Sequence, residues 1–282
     1  MNKRLLGSLA LSVCVASSLP AFGYERDTHY YLTFYLALQT TCFKGWESWV
    51  LASADWSQDH NPTTASEISI VEIVRNVLGQ RPHVPNQRRW HAFMESGSEE
   101  ERSKRQEELW ARVEREDEKA KQLVYLGQLL HFVQDSFAHR GYEPGLGHGL
   151  DTLLGNDPDM LREKEREMDM VRATLDVLLR TCDLLKRSHA SKEELEKRVE
   201  PLMDMLIRPG RFSRRTEDLR AVRRNAHRIN QAIEQSARNV ASHCWATAGL
   251  IPDPLRVRYD KSGEPISLTA ITVQVDASRC LG

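Results

Sequence analysis

The segment Leu126-Gly-Gln-Leu-Leu-His131-Phe-Val-Gln-Asp135-Ser-Phe-Ala-His139 lies in the most apolar part of the chain and carries its clearest chemical signal. His131, Asp135 and His139 stand at positions i, i+4 and i+8, so an α-helix would place all three on one face. Burying two imidazoles and a carboxylate costs several kcal/mol unless each is paired or bound to a metal ion. The segment therefore predicts a helix that enters the core and carries part of a metal site.

Helical spacing of apolar residues continues on both sides of this segment. It predicts helices at about residues 24–51 (with the pattern continuing to 59), 64–78, 98–139, 160–185, 192–207 and 216–248. Residues 79–97 contain Pro82 and Pro85 and are predicted to form a loop. At residues 266–275, β-branched side chains favour a strand or a small hairpin. We therefore expect one all-α domain at residues 24–250, followed by a short β-prone C-terminal tail at 251–282.

The overall composition limits the class of protein. A chain of 282 residues is long enough for one sizeable core. Hydrophobic residues make up 40% and charged residues 28%, which is typical of a globular protein rather than a disordered one. The 39 basic and 40 acidic residues give a formal net charge of −1, so the charge indicates no polyanionic partner. No obligate protein partner is indicated either.

The first 23 residues have the composition of a secretory signal peptide. Two basic residues precede an apolar run at residues 5–15, which is shorter than the roughly 20 residues that span a bilayer. We expect cleavage near Gly23-Tyr24 and export, so that the mature protein is periplasmic or secreted and begins at Tyr24. The alternative is a lipoprotein anchored at Cys14, but Val13 stands where a small residue is expected.

Four cysteines remain after removal of the signal peptide. An even number of cysteines in an exported chain permits two disulfides, with three possible pairings among Cys42, Cys182, Cys244 and Cys280. Buried free thiols are the alternative. None of the four stands in a Cys-x-x-Cys pattern, so a cysteine metal site is not expected.

One helix face cannot complete a metal site, because zinc takes about four ligands. The sequence offers further donors on both sides of the central segment. Upstream of it are His29, Asp55, Asp59, His60 and His91; downstream are His148 and Asp151, with Asp157 and Asp159 as alternatives to Asp151. Asp55 and Asp59 are four residues apart within a predicted helix, so their spacing alone does not decide between them.

The order of these donors resembles that of the superfamily of bacterial zinc-dependent phospholipases C and fungal zinc single-strand nucleases. Members of that superfamily are exported helical proteins that carry a Leu-Gly-x-x-Leu-His-x-x-x-Asp helix, which residues 126–135 match. Three departures stand out. Tyr24 replaces the usual N-terminal tryptophan, His139 follows the motif more closely than in well-known members, and Thr152 occupies the usual place of the closing acid.

The resemblance implies up to three zinc ions. Their expected ligands are Asp59, His91, His131 and Asp135 for the first, His139, His148 and Asp151 for the second, and Tyr24, His29 and the bridging Asp135 for the third. Asp59 or Asp55 would assist catalysis by orienting or deprotonating the attacking water. Nitrogen and carboxylate donors without thiolate suit zinc, and manganese is the other candidate.

The function implied by the resemblance is zinc-dependent phosphodiester hydrolysis, in which a metal-bound hydroxide attacks phosphorus. The form of residues 131–139 is more similar to the bacterial phospholipase members, so we expect a phospholipid substrate and contact with a membrane surface. A single-strand nuclease, with nucleic acid as substrate, is the first alternative. A non-catalytic, metal-stabilised exported binding protein is the second, and a helical exported protein without metal is the last.

Overall fold

The computed structural model describes residues 26–61, 63–64, 85–94, 99–142, 159–161, 163–207, 215–239 and 253–266. A π-helical segment, Asp27–Leu32, continues directly into the first α-helix. The α-helices are α1 Thr33–Gln39, α2 Gly45–His60, α3 Pro85–Trp90, α4 Glu99–Arg115, α5 Lys119–Ala138, α6 Lys164–Leu184, α7 Lys192–Leu206 and α8 Arg215–Asn239. Within these ranges no strand forms, and the single β-bridge joins Tyr259 to Pro265. The expectation of an all-α fold is confirmed.

Several predicted boundaries need correction. The predicted helix at 24–51 is interrupted at residues 40–44, where Thr41 adopts a left-handed backbone with φ of 65°. The prediction of a loop over 79–97 is wrong for α3, whose first residue is Pro85. Proline is well suited to that position, because the N–H it lacks would have no partner within the helix. The helices predicted at 160–185 and 192–207 correspond to α6 and α7. Of the helix predicted at 64–78, only Thr64 lies in the described residues.

The prediction of a single helix over residues 98–139 is also wrong, because the chain reverses between α4 and α5. The two helices pack against each other, and Gln122 donates from Nε2 to the Val113 carbonyl at 3.0 Å. At the reversal, the side chain of Glu116 accepts the backbone N–H of Glu118 at 3.0 Å. The turn is thus stabilised by a carboxylate and contains neither glycine nor proline, which are the usual sequence signals for a helix end.

Helices α2 and α5 have the most extensive contact among the described helices and carry most of the candidate site. Gly127 of α5 lies directly against α2. A Cβ atom at this position would stand 2.5 Å from the Leu51 carbonyl oxygen, 2.6 Å from the Ala54 Cβ and 2.8 Å from the Asp55 nitrogen. Only glycine permits this approach of the two backbones. The glycine of the Leu-Gly motif therefore sets the separation between Asp55 and His131, which lies one turn after Gly127.

The other side of α2 holds the C-terminal segment 253–259. Side chains spaced four residues apart on α2 bind the backbone of this segment in place of a neighbouring strand. Ser57 Oγ donates to the Leu255 carbonyl and accepts from the Val257 N–H, both at 3.1 Å. The whole set, which we call the α2 ladder, consists of Trp49, Ser53, Ser57 and Asn61. The predicted strand at 266–275 lies outside the described residues apart from Ile266.

One disulfide joins distant parts of the chain. Cys42, just after α1, is bonded to Cys182 near the end of α6, across a sequence separation of 140 residues. Cys244 and Cys280 lie outside the described residues, as does the predicted signal peptide at 1–23. No helix in the described ranges has both the length and the apolar character needed to cross a membrane.

Candidate metal centre

Most of the predicted site residues converge in the interior, although they come from four separate parts of the chain. His29 lies in the π-helical segment, His91 directly follows α3, and the remaining residues belong to α2 and to α5 or its end. All are exposed by 4% or less: His29, Asp55, Asp59, His91, His131, Asp135 and His139. Tyr24, His148, Asp151 and Asp157 lie outside the described residues.

Four donor atoms lie close together at this position. They are Asp59 Oδ1, His91 Nδ1, His131 Nε2 and Asp135 Oδ2, and the recorded distances among them are between 3.0 and 3.7 Å. Zinc bonds of about 2.0–2.1 Å in a tetrahedron place neighbouring donors about 3.3 Å apart. Three of these donors, from Asp59, His91 and His131, have the spacing needed to hold one ion, and Asp135 Oδ2 lies 3.0 and 3.2 Å from the two histidine nitrogens.

The hydrogen bonds of the two histidines decide which ring nitrogens face this position. His91 Nε2 lies 2.9 Å from the Thr64 carbonyl oxygen, which can only accept, so this nitrogen carries the hydrogen. His131 Nδ1 likewise donates to Asp55 Oδ1 at 3.3 Å. In the neutral rings, the remaining nitrogens, His91 Nδ1 and His131 Nε2, then face each other at 3.0 Å with their lone pairs. Such a contact is repulsive unless a cation, either a proton or a metal ion, lies between them.

A buried carboxylate oxygen supports the same conclusion. Asp59 Oδ1 accepts no hydrogen bond within the described part of the chain, although Asp59 is only 4% exposed. It lies 3.5 Å from His91 Nδ1 and 3.7 Å from His131 Nε2. Leaving a buried charged oxygen without a partner is costly, and a metal ion at this position would remove the cost.

Asp135 connects this donor set to a second one. Its Oδ2 faces His91 and His131 at 3.0 and 3.2 Å, whereas its Oδ1 lies 3.2 Å from His29 Nε2. The two oxygens of one carboxylate thus point toward two different groups of histidines. The bridging role that the sequence resemblance implies for Asp135 stays a prediction, because Tyr24, the other expected partner, is outside the described residues.

His139 lies on the opposite side of the cluster. It donates from Nδ1 to the His91 carbonyl oxygen at 2.5 Å, and its ring stacks on Phe93 with the centroids 3.7 Å apart. Its Nε2 lies 3.6 Å from Asp159 Oδ1. Asp159, one of the acids considered as a partner of His148, therefore lies beside His139, whereas His148, Asp151 and Asp157 are outside the described residues.

The backbone after α3 is shaped to bring His91 and Phe93 to this position. The N–H groups of both residues donate to the Gln87 carbonyl, at 3.2 and 3.1 Å respectively. Between them, Ala92 has φ of 50°, a left-handed conformation that costs an ordinary residue about 1–2 kcal/mol. Local strain of this kind persists where the surrounding structure requires it, as it does at the candidate site.

The two aspartates of α2 face different groups, which their sequence spacing could not reveal. Asp59 lies with the first donor set. Asp55 Oδ1 instead lies 2.9 Å from His29 Nδ1 and 3.3 Å from His131 Nδ1, and its Oδ2 accepts from Thr33 Oγ1 at 2.7 Å. Both oxygens of Asp55 are therefore already engaged, Oδ1 by the Nδ1 atoms of two histidine rings and Oδ2 by the Thr33 hydroxyl.

Two further polar residues take part in the site and were not predicted. Gln134 accepts from His29 Nδ1 through Oε1 at 2.9 Å, and its Nε2 donates to Thr33 Oγ1 at 2.7 Å. Both Gln134 and Thr33 are fully buried. The available sequence signals are weak: Gln134 is a polar residue in an apolar helix next to Asp135, and Thr33 stands one helical turn after His29.

The charges within the cluster oppose one another strongly. Burial disfavours a charged imidazole, but nearby carboxylates, chiefly Asp135, outweigh burial and raise the pKa of His131 to about 9. The pKa of His29 is also raised well above its ordinary value, since Asp55 and Asp135 together outweigh burial. Burial dominates at His139 and lowers its pKa. Although burial opposes it, the neighbouring histidines hold the pKa of Asp135 well below its usual range. The cluster as a whole attracts positive charge.

Two groups of donors thus meet the geometric requirement for holding a metal ion. In each group the ligand atoms lie within 4.8 Å of one another, and the groups are His29, His131 and Asp135, and Asp59, His91 and His131. Compared with known proteins, the chain matches no protein-family model, no curated protein and no solved structure.

Proposed function

We propose that this protein is an exported zinc-dependent phosphodiester hydrolase, of the phospholipase C type, that acts on phospholipids. The observation that carries the proposal is the buried group of Asp59, His91 and His131, whose donor atoms have the spacing of metal ligands, together with Asp135, which lies against both of these histidines and against His29. All its donors are imidazole nitrogens and carboxylate oxygens, a combination that suits zinc. Asp135 and the pair of His139 and Asp159 extend the proposal to as many as three ions.

Zinc at these positions would hold the oxygens of a phosphodiester and lower the pKa of a bound water toward about 7. The residues of the chain have separate tasks around that chemistry. Asp135 fixes the relative positions of the two donor groups through its two oxygens. Asp59, which offers Oδ1 as a ligand, would also orient the bound water or receive its proton. The neighbouring histidines keep Asp135 ionised, because they hold its pKa well below the usual range.

The proposal is tested with the mature protein beginning at Tyr24. Bound zinc is counted by atomic emission, and hydrolysis of a phosphorylcholine ester is compared with hydrolysis of single-stranded DNA. We expect at least one zinc ion per chain and cleavage of the lipid-type substrate. Cleavage of DNA alone would replace the substrate with nucleic acid. Zinc without either activity would leave a metal-stabilised binding protein.

Asp135→Asn tests the position of the site, because it removes the carboxylate that links the donor groups. We expect loss of at least one zinc and of hydrolysis. Glu47→Gln is the matched control, since Glu47 is another buried carboxylate, 1% exposed, that pairs with Arg187 at 2.6 Å and lies outside the cluster. It should lower stability and leave zinc content unchanged. Less than one zinc per chain in the parent protein, or full activity in the Asp135 variant, would refute the proposal.

A further inference from the structure

We propose that Asp55 is a positioning residue and not a metal ligand: its buried carboxylate fixes the ring orientation and tautomer of His29 and His131 together. This inference rests on the proposed function in one respect, that the cluster binds zinc, and does not depend on which substrate is cleaved. It also assigns different roles to the two aspartates of α2.

The first argument is that both oxygens of Asp55 already accept hydrogen bonds from buried donors. Oδ1 lies 2.9 Å from His29 Nδ1 and 3.3 Å from His131 Nδ1, and Oδ2 accepts the hydroxyl of Thr33 at 2.7 Å. An ionised carboxylate only accepts hydrogen bonds, so each of these contacts places a hydrogen on the partner atom. Asp55 is fully buried, and exchanging these contacts for a metal would take from His131 Nδ1 its acceptor within the described part of the chain.

The second argument is the effect on the rings. With the hydrogen held at Nδ1, both histidines present the lone pair of Nε2 to the interior of the cluster. His29 Nε2 then faces Asp135 Oδ1 at 3.2 Å, and His131 Nε2 faces Asp135 Oδ2 at the same distance. Histidines that bind metal ions usually donate their other N–H to a carboxylate or carbonyl, which fixes the tautomer and raises the basicity of the ligand. Here one carboxylate does this for two rings.

The third argument is that Asp55 is itself held by a closed hydrogen-bond network. Gln134 Nε2 donates to Thr33 Oγ1 at 2.7 Å, and the Thr33 hydroxyl lies 2.7 Å from Asp55 Oδ2 and 3.3 Å from the Thr28 carbonyl oxygen. The shorter contact, to a carboxylate, is the stronger one. Gln134 Oε1 accepts from His29 Nδ1 at 2.9 Å and closes the ring. The network joins the π-helical segment, α1, α2 and α5, and its members are fully buried. Such a network fixes one arrangement when every member is satisfied.

Asp59 provides the contrast within the same helix. It lies one turn after Asp55, approaches the Nε2 side of His131 at 3.7 Å, and has an oxygen that accepts no hydrogen bond in the described ranges. One aspartate thus lies behind the His131 ring and the other in front of it. Loss of an outer carboxylate of this kind lowers metal affinity by about 10–100-fold, whereas loss of a ligand removes an ion.

The test compares Asp55→Asn, Thr33→Val and Thr33→Ser with Glu47→Gln, the buried carboxylate control. Zinc stoichiometry is measured by atomic emission and affinity by competition with a chelator. Nitrogen NMR of proteins with ¹⁵N-labelled histidine reports the tautomers of the zinc-loaded rings. Circular dichroism and thermal unfolding check that each variant folds.

We expect Asp55→Asn to keep the parent number of zinc ions, to bind them about 10–100-fold more weakly, and to show a mixture of histidine tautomers. Thr33→Val should weaken zinc binding to a smaller extent. Thr33→Ser, which keeps the hydroxyl, should bind zinc with the parent affinity. Glu47→Gln should change stability alone. If Asp55→Asn does not fold, the two Thr33 variants decide the matter by the same measurements.

Loss of one zinc per chain in Asp55→Asn would make Asp55 a ligand and overturn the inference. The inference would also be overturned if Asp55→Asn bound zinc with the parent affinity and showed the parent histidine tautomers. If only Thr33→Val folds, the same result in that variant would overturn it. Failure of the proposed function looks different: the parent protein would bind zinc, the variants would behave as described, and no phosphodiester would be cleaved. A parent protein without zinc would refute both proposals.

Discussion

The contact of Gly127 with α2 offers a sharp test of how the fold positions the metal centre. In Gly127→Ala, the added Cβ would stand 2.5 Å from the Leu51 carbonyl oxygen, whereas ordinary contact begins at 3.4 Å. The two helices must therefore separate locally by about 0.9 Å, and overpacking of this kind costs about 1–3 kcal/mol. Alanine regains about 1 kcal/mol through its higher helix propensity. We therefore expect a net loss of up to about 2 kcal/mol in the free energy of unfolding.

The same displacement should act on the site, because Asp55 and Asp59 move with α2 while His131 moves with α5. The hydrogen bond between Asp55 and His131 is already 3.3 Å long, and a further separation would break it. Zinc affinity should therefore fall by at least about tenfold. Urea unfolding followed by tryptophan fluorescence gives the stability change, and chelator competition gives the affinity.

A double-mutant cycle separates the steric effect from helix propensity. Ala54→Gly removes the Cβ that would lie 2.6 Å from the new methyl group, at a propensity cost of about 1 kcal/mol. The double variant should be more stable, by at least about 0.5 kcal/mol, than the sum of the two single effects predicts. Part of the loss should remain, since the contact with the Leu51 carbonyl is unchanged. A Gly127→Ala protein that is more stable than the parent and binds zinc equally well would show that the helices are not in the contact described.

Two further predictions concern protons and the disulfide. The pKa of His131 is raised to about 9 from an ordinary 6.5, so its proton stabilises the metal-free protein fully below pH 6.5, and this contribution is lost as the pH rises through 9. Zinc must displace that proton, so zinc affinity should rise by up to about tenfold per pH unit for each proton released. Calorimetry at pH 7 in buffers of different ionisation enthalpy measures the number of protons released. If no proton is released, the described charge state of His131 is wrong. Replacing Cys42 and Cys182 together by serine should lower the free energy of unfolding by about 2–5 kcal/mol, since the disulfide closes a loop of 140 residues. An unchanged midpoint of urea unfolding in the double variant would show that the disulfide does not form.

The sequence predicts the part of the site that lies on a single helix. The spacing of His131 and Asp135 is enough to place both side chains on one face of α5, and the structure has them 3.2 Å apart. Gly127 belongs to the same motif, and the structure explains it, because only glycine allows the backbone of α2 to approach α5 this closely. Helical periodicity likewise predicts α6 and α7 closely, because their apolar residues follow one regular pattern.

The sequence does not predict features that depend on contacts between elements. Asp55 and Asp59 have the same spacing and chemistry, and only the position of the His131 ring between them separates their roles. Thr33 and Gln134 are ordinary polar residues until the packing of α1, α2 and α5 brings them together. The reversal at Glu116 has no glycine or proline to mark it, because a side chain supplies the acceptor that ends the helix.

The α2 ladder has a consequence for the order in which the molecule folds. Ser57 is bonded to backbone groups 198 and 200 residues later in the chain, and Trp49 to one 204 residues later. Contacts between residues so far apart in sequence are expected to form late in folding, because the chain loses the entropy of closing the loop before the contact stabilises it. Until residues 253–259 arrive, the serine and asparagine groups of α2 must find water as a partner. The helix that supplies both site aspartates is therefore fixed in its final environment only when nearly all of the described chain has come together.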